Sequence, residues 1–289
     1  MTTREQWIAG ARPKTLPAAI APVLVGTSFA GYNATFLHTL LALIVALSLQ
    51  VGVNYANDYS DGIKGTDADR VGPMRLVGSG AAKPDAVKKA AFLSFFVASL
   101  AGLILASRTS WLLVALGALC ILAAWTYTGG PKPYGYQALG EVSVFIFFGV
   151  VATVGTYYVQ TESVSREVLL ASFAMGALAC AILVLNNLRD LEKDQLSNKK
   201  TLAVVMGDKE TRNLYKWLMF FALVMSVALT FFSFYYLLAL IALPLVSKSV
   251  RAVASSADGT ALIDLLAKTG RIQIIYALAL SFAAWLVAR

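Results

Sequence analysis

Nine apolar runs divide this chain, at about 15 to 32, 37 to 56, 90 to 107, 111 to 128, 138 to 160, 168 to 188, 214 to 231, 233 to 250 and 270 to 288. A helix that crosses a bilayer needs roughly 17 to 25 predominantly apolar residues, because no water is present there to satisfy backbone N–H and C=O groups. The chain is therefore read as an all-α polytopic membrane protein with nine transmembrane helices. Its composition agrees: 14% of the residues are charged, against roughly 25% in soluble proteins. All 289 residues are read as one integral-membrane domain.

Two of the runs need argument. Between 214 and 250 a single helix would be too long for the bilayer, so Phe231-Phe232-Ser233-Phe234-Tyr235-Tyr236 is expected to hold a tight turn in an interfacial aromatic belt. The first run ends in small residues, as a signal peptide does, but Pro17 and Pro22 interrupt it and eight similar runs follow, so it is read as a retained helix. With nine spans, 21 of the 24 Lys and Arg, counted with flanking helix ends, fall on the amino-terminal side, against Arg108, Arg166 and Arg289 opposite. Basic residues mark the cytoplasmic side. The amino terminus is expected inside and the carboxyl terminus outside.

Charge and residue usage remove several function classes. The net charge of +8 is accounted for by this inside bias together with any anionic ligand, and no nucleic-acid motif accompanies it. Cys120 and Cys180 both fall in mid-helix and read as small buried hydrophobes. The single histidine, His38, lies at the outer start of the second run, which argues against histidine-based catalysis or metal binding. Neither a phosphate-binding P-loop nor the ligand order of an EF-hand is present.

Against this background two polar clusters stand out: Asn54-Tyr55-Ala56-Asn57-Asp58-Tyr59-Ser60-Asp61 and Asn186-Asn187-Leu188-Arg189-Asp190-Leu191-Glu192-Lys193-Asp194. They end the second and sixth runs, so both emerge on the cytoplasmic face. On a helix, Asn54, Asp58 and Asp61 are spaced four then three, and Asn187, Asp190 and Asp194 three then four, so each trio lines one stripe. The repeated signature suggests a parallel duplication, helices 1 to 4 over about 12 to 128 and helices 5 to 8 over about 138 to 250, with helix 9 at about 270 to 288 appended. Carboxylates beside lipid are costly unless they serve a site. Mg²⁺ takes hard oxygen ligands and is commonly held by one or two carboxylates plus substrate phosphate oxygens, so the two stripes could clamp a diphosphate through two ions. The plainer alternative is that they are solvated helix ends paired with Arg189, Lys193 and Lys64.

At these residues the chain resembles the UbiA superfamily of intramembrane aromatic prenyltransferases, whose members carry nine helices around a central cavity and two aspartate-rich motifs after helices 2 and 6. The words Ala11-Arg12-Pro13-Lys14-Thr15-Leu16-Pro17, Asp69-Arg70-Val71-Gly72-Pro73, Tyr127-Thr128-Gly129-Gly130-Pro131-Lys132-Pro133-Tyr134-Gly135 and Lys200-Thr201-Leu202-Ala203 are similar to the branch that prenylates 1,4-dihydroxy-2-naphthoate in menaquinone synthesis. Many superfamily members carry a further aspartate where this chain has Gly65; whether Asp67 or Asp69 substitutes is left open.

The resemblance implies transfer of a long polyprenyl chain from polyprenyl diphosphate to 1,4-dihydroxy-2-naphthoate, with loss of diphosphate and CO₂, to give demethylmenaquinone. It further implies a bacterial plasma-membrane enzyme with its site facing the cytoplasm. Asp58, Asp61, Asp190 and Asp194 would be metal ligands, and Lys132 a diphosphate ligand or else a partner for lipid headgroups. Asn54, Asn57 and Asn187 would orient metal waters or diphosphate oxygens, or else join helices by hydrogen bonds. Arg12, Lys14, Arg70 and Arg75 are expected to bind diphosphate or the naphthoate carboxylate, and Tyr127 and Tyr134, with Tyr55 and Tyr59, to shield an allylic cation or to serve as interfacial tyrosines. Glu141 is a proton acceptor or, preferably, a partner for a neighbouring helix. The tail is expected to lie in membrane lipid. Other acceptors, such as 4-hydroxybenzoate, haem or a phosphoribosyl compound, remain open, as does a transporter, which would place its polar breaks near the midplane.

Overall fold

The computed structural model describes residues 2–65, 74–255 and 257–289. Among them no strand occurs beyond one isolated bridge, Gln137 to Lys200. A short helix, α1 (Arg4–Gly10), opens on a capping box in which Thr3 and Gln6 satisfy each other's backbone N–H. Then come α2 (Pro17–Phe29), α3 (Phe36–Lys64), α4 (Pro84–Arg108), α5 (Leu112–Thr126), α6 (Gly140–Thr161), α7 (Arg166–Leu196), α8 (Leu202–Phe231), α9 (Phe234–Ala254) and α10 (Gly259–Val287). Seven of these are long and apolar enough to cross a membrane; α2 and α5 are apolar but shorter.

Local chemistry sets the boundaries. Thr35, Ser165 and Thr201 cap α3, α7 and α8 by accepting the N–H three residues on, and Pro17 and Pro84 occupy first-turn positions where the missing N–H costs nothing. Gly65, at φ +72, closes α3 in the left-handed conformation that glycine adopts without a side-chain clash. The expected aromatic turn is present: the chain breaks at Phe232–Ser233, Ser233 caps the next element through the Tyr235 N–H, and Phe231 and Phe234 are exposed.

The helices outrun their apolar cores. α3 continues to Lys64 rather than 56, α7 to Leu196 rather than 188, and α10 begins at Gly259 rather than 270. Hydropathy marks only the apolar, membrane-embedded part of a helix. Both polar clusters therefore ride on continuous last turns and keep helical spacing.

α7 is the axis, with 78% of its apolar window buried against 22 to 44% for the other long helices. Ala171, Ala174, Gly176, Ala177 and Ala181 allow neighbours to approach closely, the packing route available where lipid removes the hydrophobic drive between helices. At Gly149, within a π-helical turn (Phe145–Val151) of α6, a Cβ would lie 2.5 Å from the Gly176 Cα. α8, α9 and α10 fill one side of α7 with a continuous core that includes Tyr215, Met219 and Leu280. The other side, bounded by α2 to α6, is hollow.

Candidate functional site

That hollow is a cavity of about 530 Å³. Its deep part is lined by Leu49, Gly102, Gly117, Phe147, Val151 and Gly155, and its mouth by the polar clusters. The π-helical turn of α6 shifts the register so that Val144, Phe147, Phe148 and Val151 all reach the wall, a device common at functional sites.

The two clusters converge at the mouth. Lys199 Nζ stands 3.6 Å from Asp61 Oδ2 and 3.8 Å from Asp194 Oδ1, so one ammonium links the ends of α3 and α7. Its loop is held by Ala138 N–H donating to the Lys200 carbonyl at 2.8 Å and Lys199 N–H donating to the Asp194 carbonyl at 2.8 Å, with Asn198 in the left-handed region at φ +56. Asp61 also accepts the Tyr136 hydroxyl at 2.5 Å and lies 3.9 Å from Arg75 Nη2. The Tyr136 ring carries the Lys64 ammonium 4.9 Å and the Lys199 ammonium 5.0 Å from its centroid. Asp190 takes a two-pronged contact from Arg189, at 2.8 and 2.6 Å.

On α3 the face that meets the cavity is Gln50, Asn54, Asn57 and Asp61. Asn54 donates to the Ala11 carbonyl at 2.9 Å and the Thr15 hydroxyl at 3.2 Å, tying α3 to the segment that carries Arg12 over the mouth. Asn57 accepts the Thr128 hydroxyl at 2.7 Å. Asp58, one residue further round the helix, is wholly buried and turned away from the cavity. On α7, Asn187 donates to Glu141 Oε1 at 2.9 Å, so Glu141 pairs with a neighbouring helix as its preferred reading had it.

Of the other expected residues, Arg12, Arg75, Asn187, Asp190, Asp194, Tyr127 and Tyr134 all line the cavity. Lys14 and Lys132 do not: both are exposed, Lys132 in the Gly/Pro-rich loop after α5. Arg70, Asp67 and Asp69 lie outside the described residues. Tyr127 and Tyr134 meet edge to face at 5.4 Å, and Tyr134 hydrogen-bonds the Ala123 carbonyl and Ser143. Burial pushes the Tyr134 phenol above its usual range. Lys199 and Tyr136 were not anticipated. Each is a single residue in a polar loop, and only the meeting of two loops gives it a role.

Among the described residues no three carboxylates stand close enough to form a ready-made metal cage. The donor set is nevertheless all hard oxygen: Asp61, Asp190 and Asp194 with the amide carbonyls of Asn57 and Asn187. Such a set, incomplete without phosphate oxygens and water, fits Mg²⁺ better than a softer ion. The Lys199 ammonium between Asp61 and Asp194 marks a place where positive charge is already stabilised.

The chain is similar to known proteins in sequence and in fold. Over 285 residues the chain is 49% identical to 1,4-dihydroxy-2-naphthoate octaprenyltransferase of Mycobacterium tuberculosis, covering 98% of each chain. It is 38% identical to the Escherichia coli protein of the same name, covering 92% of this chain and 90% of that one. In fold it is similar to a UbiA homolog from Archaeoglobus fulgidus bound to DMAPP and Mg²⁺, with TM-score 0.68 at 13% identity, covering 97% and 99% of the two chains. It is likewise similar to the apo UbiA homolog from Aeropyrum pernix K1, with TM-score 0.71 at 14% identity, covering 96% and 98%. Residues 19–262 match the UbiA prenyltransferase family, and with a hydrophobic shaft ending in converging aspartates the chain belongs to that family.

Proposed function

We propose that this protein transfers a polyprenyl group from polyprenyl diphosphate to 1,4-dihydroxy-2-naphthoate, releasing diphosphate and CO₂. The observation that carries the reading is the joining of Asp61 to Asp194 through Lys199 at the polar mouth of an otherwise apolar shaft, which matches a substrate with a charged head and a greasy tail. The naphthoate acceptor is supported by the names of relatives aligned over nearly the whole chain.

In the reaction the carbon–oxygen bond to diphosphate breaks and its electron pair leaves with the diphosphate. Ring electrons of the naphthoate form the new carbon–carbon bond, and the carboxylate departs as CO₂. No oxidant is consumed, so the product leaves at the hydroquinone level and is recovered as demethylmenaquinone after oxidation. Asp61, Asp190 and Asp194, with Asn57 and Asn187, would hold Mg²⁺, which when bound neutralises the departing diphosphate; two ions suit the two-helix arrangement. Arg12, Arg75 and Lys199 supply fixed positive charge where the leaving group's charge develops. The ring faces of Tyr127 and Tyr134 line the path of an allylic cation and can shield it.

The nine-span reading counts α2 and α5 as spans, with the active site cytoplasmic, the amino terminus inside and the protein in a bacterial plasma membrane. Its support is the basic-residue bias, and the shortness of α2 and α5 is offset by the flanking segments that continue them. A parallel duplication gains support from packing: in each quartet the second helix makes its most extensive contact with the third, α3 with α4 and α7 with α8.

Membranes containing the protein, given Mg²⁺, a long-chain polyprenyl diphosphate and 1,4-dihydroxy-2-naphthoate, should form demethylmenaquinone. Product formed only with 4-hydroxybenzoate or another acceptor would reject the naphthoate assignment. The shaft makes a further prediction. Gly155 lines it about 22 Å along α6 from Gly140 at 1.5 Å per residue, and a Cβ there meets nothing within 4 Å. Gly155→Trp should therefore lower transfer from octaprenyl diphosphate by about tenfold or more while sparing geranyl diphosphate. Equal losses with both donors would place the tail elsewhere.

A further inference from the structure

Asp58 sits between Asn57 and Asp61 in sequence, yet its carboxylate is spent on the backbone. Oδ2 accepts the Leu76 N–H at 2.8 Å and Oδ1 accepts the Val77 N–H at 2.9 Å, and the side chain is 0% exposed. Both donors open the turn at 76–80, which is pressed onto α3. A Cβ at Gly62 would lie 2.4 Å from Val77 Cγ1, and Leu76, also 0% exposed, fills the gap left by Gly10 and touches Tyr55. The residue before this clamp is Arg75. Its carbonyl accepts the Ser79 N–H and hydroxyl, and its guanidinium, 7% exposed, reaches the cavity wall 3.9 Å from Asp61.

We infer that Asp58 is a positioning residue: it grips the 76–77 backbone so that Arg75 is held over the polar mouth to bind the diphosphate of the donor, and it is not itself a metal ligand. This rests on the diphosphate-transfer reading. Turning the carboxylate toward the cavity would break two buried hydrogen bonds to charge and leave both N–H groups without that acceptor. Asp61, one turn on, faces the cavity.

The test uses the purified full-length chain and four variants, Asp58→Asn, Arg75→Ala, Asp61→Asn and the double variant Asp58→Asn/Arg75→Ala. Two quantities are measured: the Kd for inorganic diphosphate without metal, and the Kd for Mn²⁺ in the presence of diphosphate, by electron spin resonance. The amide of Asp58→Asn offers one acceptor oxygen in place of the two that take the Leu76 and Val77 N–H groups. Asp58→Asn and Arg75→Ala should each weaken metal-free diphosphate binding by about tenfold, and the double variant should be no weaker than Arg75→Ala alone, as expected when one residue acts through the other. Asp61→Asn should raise the Mn²⁺ Kd by about tenfold or more, and Asp58→Asn by less than about threefold. A Mn²⁺ loss for Asp58→Asn equal to that of Asp61→Asn, or additive losses in the double variant, would overturn the inference. Unchanged diphosphate binding by Arg75→Ala would overturn it too, whether or not Asp58→Asn folds. If the native chain bound no diphosphate at all, the transfer reading itself would fall, and this inference with it.

Discussion

Asp61→Asn should lower prenyl transfer by about 10²- to 10³-fold, the loss typical when one preorganised stabiliser of developing charge is removed, while leaving the protein membrane-inserted and monodisperse. Asp61 is where the two halves of the site meet: it accepts the Tyr136 hydroxyl, lies within 4 Å of Arg75 and Lys199, and through Lys199 is joined to Asp194. The substitution keeps the shape and removes the charge, so it separates electrostatics from packing. The comparison is Lys132→Ala. Lys132 is exposed and lies off the cavity wall, so its removal should change the rate by less than about threefold, the size of effect expected of a solvated surface charge. Initial rates at saturating donor, with size-exclusion profiles of both variants, check the pair. Near-native turnover by Asp61→Asn would reject the site.

The largest structural effect is expected from Gly149→Val. A Cβ at 149 would meet the Gly176 Cα at 2.5 Å, the Gly176 nitrogen at 2.8 Å and the Ser172 carbonyl at 2.9 Å. All three are backbone atoms of α7 and cannot swing aside as a side-chain tip can. α6 would have to move away from the central helix, at a cost at or above the roughly 1–3 kcal/mol of ordinary overpacking, and the cavity wall formed by Phe147, Phe148 and Val151 would move with it. A lower melting temperature in detergent and a reduced monodisperse fraction are the expected readouts. Gly155→Trp, on the same helix but facing open space, should leave both close to native. If both variants melted like the native protein, the α6–α7 contact would not be as tight as the structure has it.

Much of the site could be read in advance because helical spacing survives translation into space. Asn187, Asp190 and Asp194 were expected on one stripe, and all three reach the cavity. On α3 only the middle of the stripe differs: Asn54 and Asp61 face inward as their spacing predicts, with Asn57 between them, while Asp58 points to the turn at 76–77. Spacing of three and four residues admits either choice, since positions 57 and 58 flank the same line. What chose between them was a backbone turn some 18 residues downstream with two N–H groups to satisfy, a partner that periodicity cannot reveal.

Loops behaved differently. Lys132 stood out because it sits in a distinctive Gly/Pro word, but there it is exposed and off the cavity wall. Lys199 stood in an unremarkable basic stretch, yet the Ala138–Lys200 hydrogen bond folds its loop back over the mouth. A side chain on a loop has no periodicity to fix its direction; it follows from contacts between segments distant in sequence.

The amino-acid sequence alone determined that this chain is a bundle of apolar helices and that two acid-and-amide clusters end two of them in register, because hydrophobic run length and helical period are local properties with large free energies behind them. Only the tertiary structure decided which carboxylates face the cavity, which cation joins them, and how deep the apolar shaft runs. Those outcomes depend on close glycine contacts between helices and on buried backbone groups that must find partners. Such demands are settled by neighbours far along the chain and leave no periodic trace in it.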